Sequence, residues 1–194
     1  TARIMMWMSW IGVPMAMGFA WWAGNSVLAA AVAAALFAAL GALGGKLSPG
    51  LAPVAAALSW VGQTAVWNAA MAGHPWQIDM HMIYFAVLAA TMLLNDLRAT
   101  LAATVMIALH HLTLTFAMPV LVYPSLTLAE NLPRTILHAL VVVFETAALT
   151  LAILTRHKMD ARDHAQAAEL ASSMQAAEAA RAGAETALAD AEIA

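Results

Sequence analysis

Residues 134–158 read RTILHALVVVFETAALTLAILTRHK, an apolar run from Arg134 to Thr155 that is closed by Arg156 and Lys158 and carries His138 and Glu145 in its interior. Crossing about 30 Å of hydrocarbon takes ~20 helical residues. The run therefore predicts a transmembrane helix that holds two ionisable groups where such groups are costly.

Working back toward the N-terminus, five further runs of the same kind appear: Ile4–Ala23, Val27–Gly44, Leu51–Ala72, Asp79–Leu94 and Ala99–Val120. They are separated by Gly24-Asn25-Ser26, the stretch from Gly45 to Gly50, Gly73 to Gln77, Asn95 to Arg98, and Tyr123 to Pro133. All of these are rich in residues that stop or cap a helix. The expected fold is an all-α integral membrane protein. Residues 1–156 form a six-transmembrane-helix bundle with short connections and antiparallel neighbours. Pro14 falls inside the first span and predicts a kink, whereas Pro53 and Pro133 stand near the starts of spans three and six.

Composition agrees with this reading. Of 194 residues, 63% are hydrophobic and 10% charged, which excludes an ordinary water-soluble globule. Eleven of the 19 charged residues fall between Arg156 and Ala194, so an apolar block is followed by a polar tail. A net charge of -3 and the lack of any basic run exclude nucleic acid as a partner. The absence of cysteine excludes disulfides, thiolate metal sites, iron–sulfur clusters and c-type haem attachment.

Basic residues assign the orientation. Arg3, Lys46, Arg98, Arg156 and Lys158 fall on one side and only Arg134 on the other, which puts both termini in the cytoplasm. Trp21, Trp22, Trp76 and Tyr123 then mark the outer boundary. The tail, residues 157–194, reads as a cytoplasmic signalling helix with a thin coiled-coil seam at Leu170, Met174, Ala177, Ala184 and Leu188, broken by Arg181. That seam predicts a homodimer, and the helical pattern running to Ala194 predicts an output module beyond it.

Histidines carry the chemistry. His74, His81, His110, His111 and His138 all fall in the outer half of the expected bundle, on four helices or their ends. One intramembrane histidine is explained by an interhelical hydrogen bond, for His138 to Asn68, Gln63 or Thr115; five on one side suggest a ligand cluster. Adjacent His110 and His111 point about 100° apart, so they do not easily serve one ion together. Glu145, two turns deeper than His138, is expected to pair with His110 or His111. Asp79 is explained as an N-cap, although with His74 and His81 it also places three candidate ligands within eight residues.

Two ligand chemistries fit. A b-type haem is preferred, with His81, His110, His111 and His138 as candidate axial ligands and Arg134 near the propionates. The alternative is a Zn or Cu ion held among His74, Asp79, His81, His110, His111, His138 and Glu145.

The segment from Gly73 to Arg156, with HPWQIDMHM, DLRATLAA, IALHHL and RTILHALVVVFE, resembles the N-terminal membrane sensor region of methyl-accepting chemotaxis proteins of proteobacteria. The resemblance implies a sensor in the bacterial inner membrane whose signal leaves through span six and the helical tail toward a chemoreceptor-type hairpin and cytoplasmic chemotaxis-type proteins or, as the second choice, a diguanylate cyclase or kinase. The resemblance does not name the ligand; from residue type and depth, the leading expectation is a receptor for a gas or redox state through haem. A receptor for a periplasmic Zn or Cu ion comes second. A membrane electron carrier or quinone-linked cytochrome comes last; no nucleophile with a matched base is visible, so the chain itself is not read as an enzyme.

Overall fold

Alanine lines the helix contacts of this protein, while many of its large apolar side chains face outward. Ala16, Ala20, Ala34, Ala38, Ala56, Ala57, Ala99 and Ala103 are fully buried, whereas Trp7, Trp21, Leu28 and Phe144 are each more than two-thirds exposed. Small residues let helix backbones approach closely where hydrophobic burial gives no advantage over the surroundings. An outer surface this apolar would be driven out of water.

The structure, a computed structural model, describes residues 1–193 and, beyond Gly183, the side chains of Glu185 and Ala191 only. The described residues are helical with no strand: α1 (Ala2–Met8), α2 (Gly12–Ala23), α3 (Val27–Leu47), α4 (Ala52–Ala70), α5 (Met82–Ala90), α6 (Leu97–Ala117) and α7 (Leu128–Ile193). Single 3-10 turns join several of them. The chain divides into two compact units, Thr1–Ile153 and the polar helix from Leu154 onward.

Five stretches are long and apolar enough to cross a membrane: Ala2–Ala23, Val27–Leu47, Pro75–Leu94, Leu97–Ala117 and a window within Leu128–Gly183. The third expected span, now α4, is not one of them. At 19 residues it is ~28 Å long, but it carries Ser59, Gln63, Thr64 and Asn68, all buried. Its polar groups face other helices. Trp60 Nε1 donates to Met5 O at 2.9 Å, Trp67 Nε1 to Gly12 O at 3.0 Å, Gln63 Nε2 to Ala34 O at 2.8 Å and Ser59 Oγ to Phe37 O at 2.9 Å. Helix α4 is therefore the central post that α1, α2, α3, α5 and α6 pack against.

Helix ends differ from expectation in two places, and at a third an expected break supplies the cap. The first span is broken by a 3-10 turn at Ser9–Ile11, just before Pro14, whose ring crowds the carbonyl of Trp10 four residues back. Helix α7 starts at Leu128, so Pro133 lies inside it and His138 stands ~15 Å from its start. Asp96 caps α6, its Oδ1 accepting from Arg98 N at 2.8 Å. The hydrogen-bonded Arg98 guanidinium holds the Asp96 carboxyl below the usual carboxylate range. In the polar helix Leu170 and Met174 are exposed, while the seam positions Ala184 and Leu188 lie outside the described side chains.

Two glycines test the close-packing account. A Cβ at Gly41 would stand 2.5 Å from Ser59 Cβ on α4, whereas one at Gly18 meets nothing within 4 Å. Gly41→Val should destabilise the bundle by about 1–3 kcal/mol through overpacking, and Gly18→Ala should stabilise it by up to ~1 kcal/mol through helix propensity. Reversible unfolding in mixed detergent measures both; equal effects would refute the packing assignment.

Candidate functional site: a three-imidazole cluster

Helices α6 and α7 run antiparallel in a register that threonines fix. Thr104 meets Thr146 at 2.8 Å and Thr115 meets Thr135 at 2.9 Å, eleven residues along one helix and eleven back along the other. Between these rungs the register sets His111 against His138. Their rings stack with centroids 4.4 Å apart and planes 19° from parallel.

His81 completes the group. It ends the 3-10 turn Asp79–His81 at the entry to α5, with its ring centroid 5.3 Å from His111 and 5.6 Å from His138. Tyr123 stacks on His81 at 5.5 Å and 10°, Tyr84 stands edge-on to His111 at 4.8 Å, and Phe85 packs on His138 at 4.7 Å. Tyr84, Tyr123, His81 and His111 are buried.

The hydrogen bonds fix two tautomers. A backbone carbonyl only accepts, so the proton sits on Nδ1 where His111 donates to Ile107 O at 2.9 Å and His81 donates to Gln77 O at 3.3 Å. Each acceptor lies four residues earlier, and each ring is left with a lone pair on Nε2. His81 Nε2 accepts from Asn68 Nδ2 at 3.4 Å. Among the described residues, His111 Nε2 and His138 Nε2 are buried with no hydrogen-bond partner, a state that native structures rarely leave unexplained. A cleft of about 190 Å³ opens beside them between α6 and α7, lined by His111, His138, Thr104, Thr135 and apolar side chains.

Of the remaining candidates, His110 lies beside the trio and the others are placed elsewhere. The His110 ring centroid is 5.1 Å from that of His111, and its Nδ1 lies 3.4 Å from the Tyr84 hydroxyl. His74 packs on Trp22 at 4.9 Å, and its Nδ1 accepts from Trp76 N at 3.2 Å. Asp79 is exposed and does not cap its turn, where Ile78 holds the N-cap position. Arg134 is exposed one turn before His138. The expected Glu145 pairing is not formed: among the described residues its Oε2 is buried without a partner.

Neither do the hydrogen bonds offered for His138 occur, since Gln63 serves Ala34 O, Thr115 serves Thr135 and His111 O, and Asn68 serves His81. Among the described residues no three His, Asp or Glu side chains have their ligand atoms drawn together around an ion. The rings are neighbours whose nitrogens have not converged.

Sequence reading passed over Tyr84 and treated Tyr123 as a boundary aromatic. For Tyr84 a signal was present: it follows His81 by three residues, one face of a helix. No family model matches this chain, and no curated protein or solved structure matches it.

Thr135 links the site to its support, because the Tyr123 O–H donates to Thr135 Oγ1 at 2.6 Å. Tyr123→Phe removes one helix-bundle hydrogen bond and should cost about 0.6 kcal/mol. Thr135→Val leaves the buried Tyr123 hydroxyl unpartnered and should cost about 1–3 kcal/mol. Unfolding in detergent ranks the two, and the reverse order would show that the hydroxyl pair does not support the cluster.

Proposed function

We propose that residues 1–156 are a six-span membrane receptor domain, of the kind attached to bacterial chemoreceptors, which binds a transition-metal ion, Zn or Cu, through His81, His111 and His138. Both chain ends then face the cytoplasm of a bacterial inner membrane. The polar helix pairs with a second copy and carries the signal to chemotaxis-type partners.

The observation that carries this reading is the set of Nε2 lone pairs. Metal-bound histidines characteristically donate the other ring nitrogen to a carbonyl or carboxylate, which fixes tautomer and orientation. His81 and His111 already do so through Gln77 O and Ile107 O. An ion bound at about 2.0 Å by each nitrogen sets ring centres roughly 5 Å apart in a tetrahedral site, against 4.4, 5.3 and 5.6 Å here. Closing the seat needs rotation of rings about χ2, a broad and soft torsion. In this reading His110 supports the site through Tyr84 rather than serving as a ligand.

The ring spacing favours an ion over haem, the other ligand suggested by these histidines. A macrocycle between His111 and His138 would require parting a stacked pair. The adjoining cleft of about 190 Å³ is also below the roughly 300–1,000 Å³ usual for a small-molecule or cofactor pocket. Support for the six-span count comes from the five apolar stretches together with the length and central place of α4. Helix α7 joins ligand and output in one element, since it holds His138 and runs to Ile193.

Purified protein loaded with Zn(II), or with Cu(I) under reducing conditions, should hold about one ion per chain by metal analysis and show no Soret band. His111→Ala and His138→Ala should each weaken that binding by at least 10–100-fold, the loss typical even of residues that only support a ligand, while His110→Ala should keep stoichiometric metal. Full occupancy in the His81/His111/His138 triple alanine variant would overturn the ion site, and a Soret band in the purified protein would restore haem.

A further inference from the structure

A second cleft, of about 730 Å³, lies at the far end of α3, between its last turn and the start of the chain. Arg3 and Lys46 both line it, together with Met6, Trp7, Trp10 and Gly45. No acidic residue contributes to the wall. Among the described residues neither Arg3 nor Lys46 forms an ion pair. Two like charges share one concavity with nothing to balance them.

Helix electrostatics account for one of the two. Lys46 stands in the last turn of α3, where unsatisfied carbonyls favour a cation. Arg3 on α1 lines the same cleft with no helix C-terminus of its own to favour it. The cleft wall is otherwise apolar and aromatic, with Trp7 71% and Trp10 40% exposed. Gly45 permits this shape, because a Cβ there would collide with Met6 Sδ, so α1 approaches α3 closely at that point.

Aromatic rings of this type settle where hydrocarbon meets headgroups, and basic pockets between membrane helices hold anionic headgroups. We infer that this cleft binds an anionic phospholipid, with the phosphate between Arg3 and Lys46 and an acyl chain along Met6, Trp7 and Trp10. The site lies on elements that contribute nothing to the imidazole cluster, and it stands whether or not that cluster binds an ion.

Native mass spectrometry from detergent, with equimolar phosphatidylglycerol and phosphatidylcholine of identical acyl chains, tests the inference. Phosphatidylglycerol should be retained preferentially, and millimolar inorganic phosphate should not displace it, because the acyl chain contributes to binding. Arg3→Gln/Lys46→Gln should reduce the preference about 30-fold, from about 1 kcal/mol per basic side chain at such a surface. Lys46→Gln alone should reduce it about fivefold. The charge-conserving Arg3→Lys/Lys46→Arg variant should retain the preference, as should Arg98→Gln, which removes a basic residue outside the cleft. Equal retention of the two lipids, or an undiminished preference in both glutamine variants, would overturn the site. Displacement by inorganic phosphate would overturn the lipid as its ligand in favour of a free anion.

Discussion

Two threonine pairs hold α6 and α7 in one antiparallel register, and the imidazole cluster depends on it. Thr104 with Thr146 and Thr115 with Thr135 act as rungs above and below the place where His111 stacks on His138. A slip of one residue would turn one ring by about 100° relative to the other and part them. Each such hydrogen bond is worth only about 0.6 kcal/mol between membrane helices. Their value lies in specifying an alignment that apolar side chains, which slide past one another at little cost, do not specify.

The other half of the molecule solves a different problem. Helix α4 carries more buried residues than any other helix of the compact unit, and its Ser59, Gln63, Trp60 and Trp67 donate to carbonyls on α1, α2 and α3. Donors on a central post tie surrounding helices without lengthening any of them. Asn68, on the same helix, reaches His81 instead, so the post that organises the bundle also touches the cluster. Around it alanine and glycine keep backbones close, and Tyr84, Met71, Leu88 and Ile107 fill the space that remains.

Much of this was legible in sequence because ionisable side chains stand out in an apolar run. Arg134 to Thr155 announces a helix with buried chemistry, and the depths of His81, His111 and His138 bring them to one level. Depth says nothing about azimuth. That is why the expected pairing of Glu145 with His110 or His111 does not form, and why His74 lies on Trp22 and Asp79 faces outward, away from the trio. Hydropathy alone leaves α4 out of the apolar stretches, since it cannot show that Gln63 is met by the Ala34 carbonyl. The start of α7 at Leu128 was hidden by Pro133, a residue that favours the first turn of a helix but is tolerated here near its beginning.

The turn that carries His81 is wound more tightly than the helix it feeds. A 3-10 turn advances about 2.0 Å and 120° per residue, an α-helix about 1.5 Å and 100°. Rewinding Asp79–His81 would therefore act as a small screw, drawing the ring back about 1.5 Å and swinging it about 60° around the axis. Because one side of that screw is clamped by Gln77, which donates to Val120 O, the displacement would fall on the α5 side of the joint. Pitch, rather than position, is the degree of freedom this corner of the protein holds in reserve.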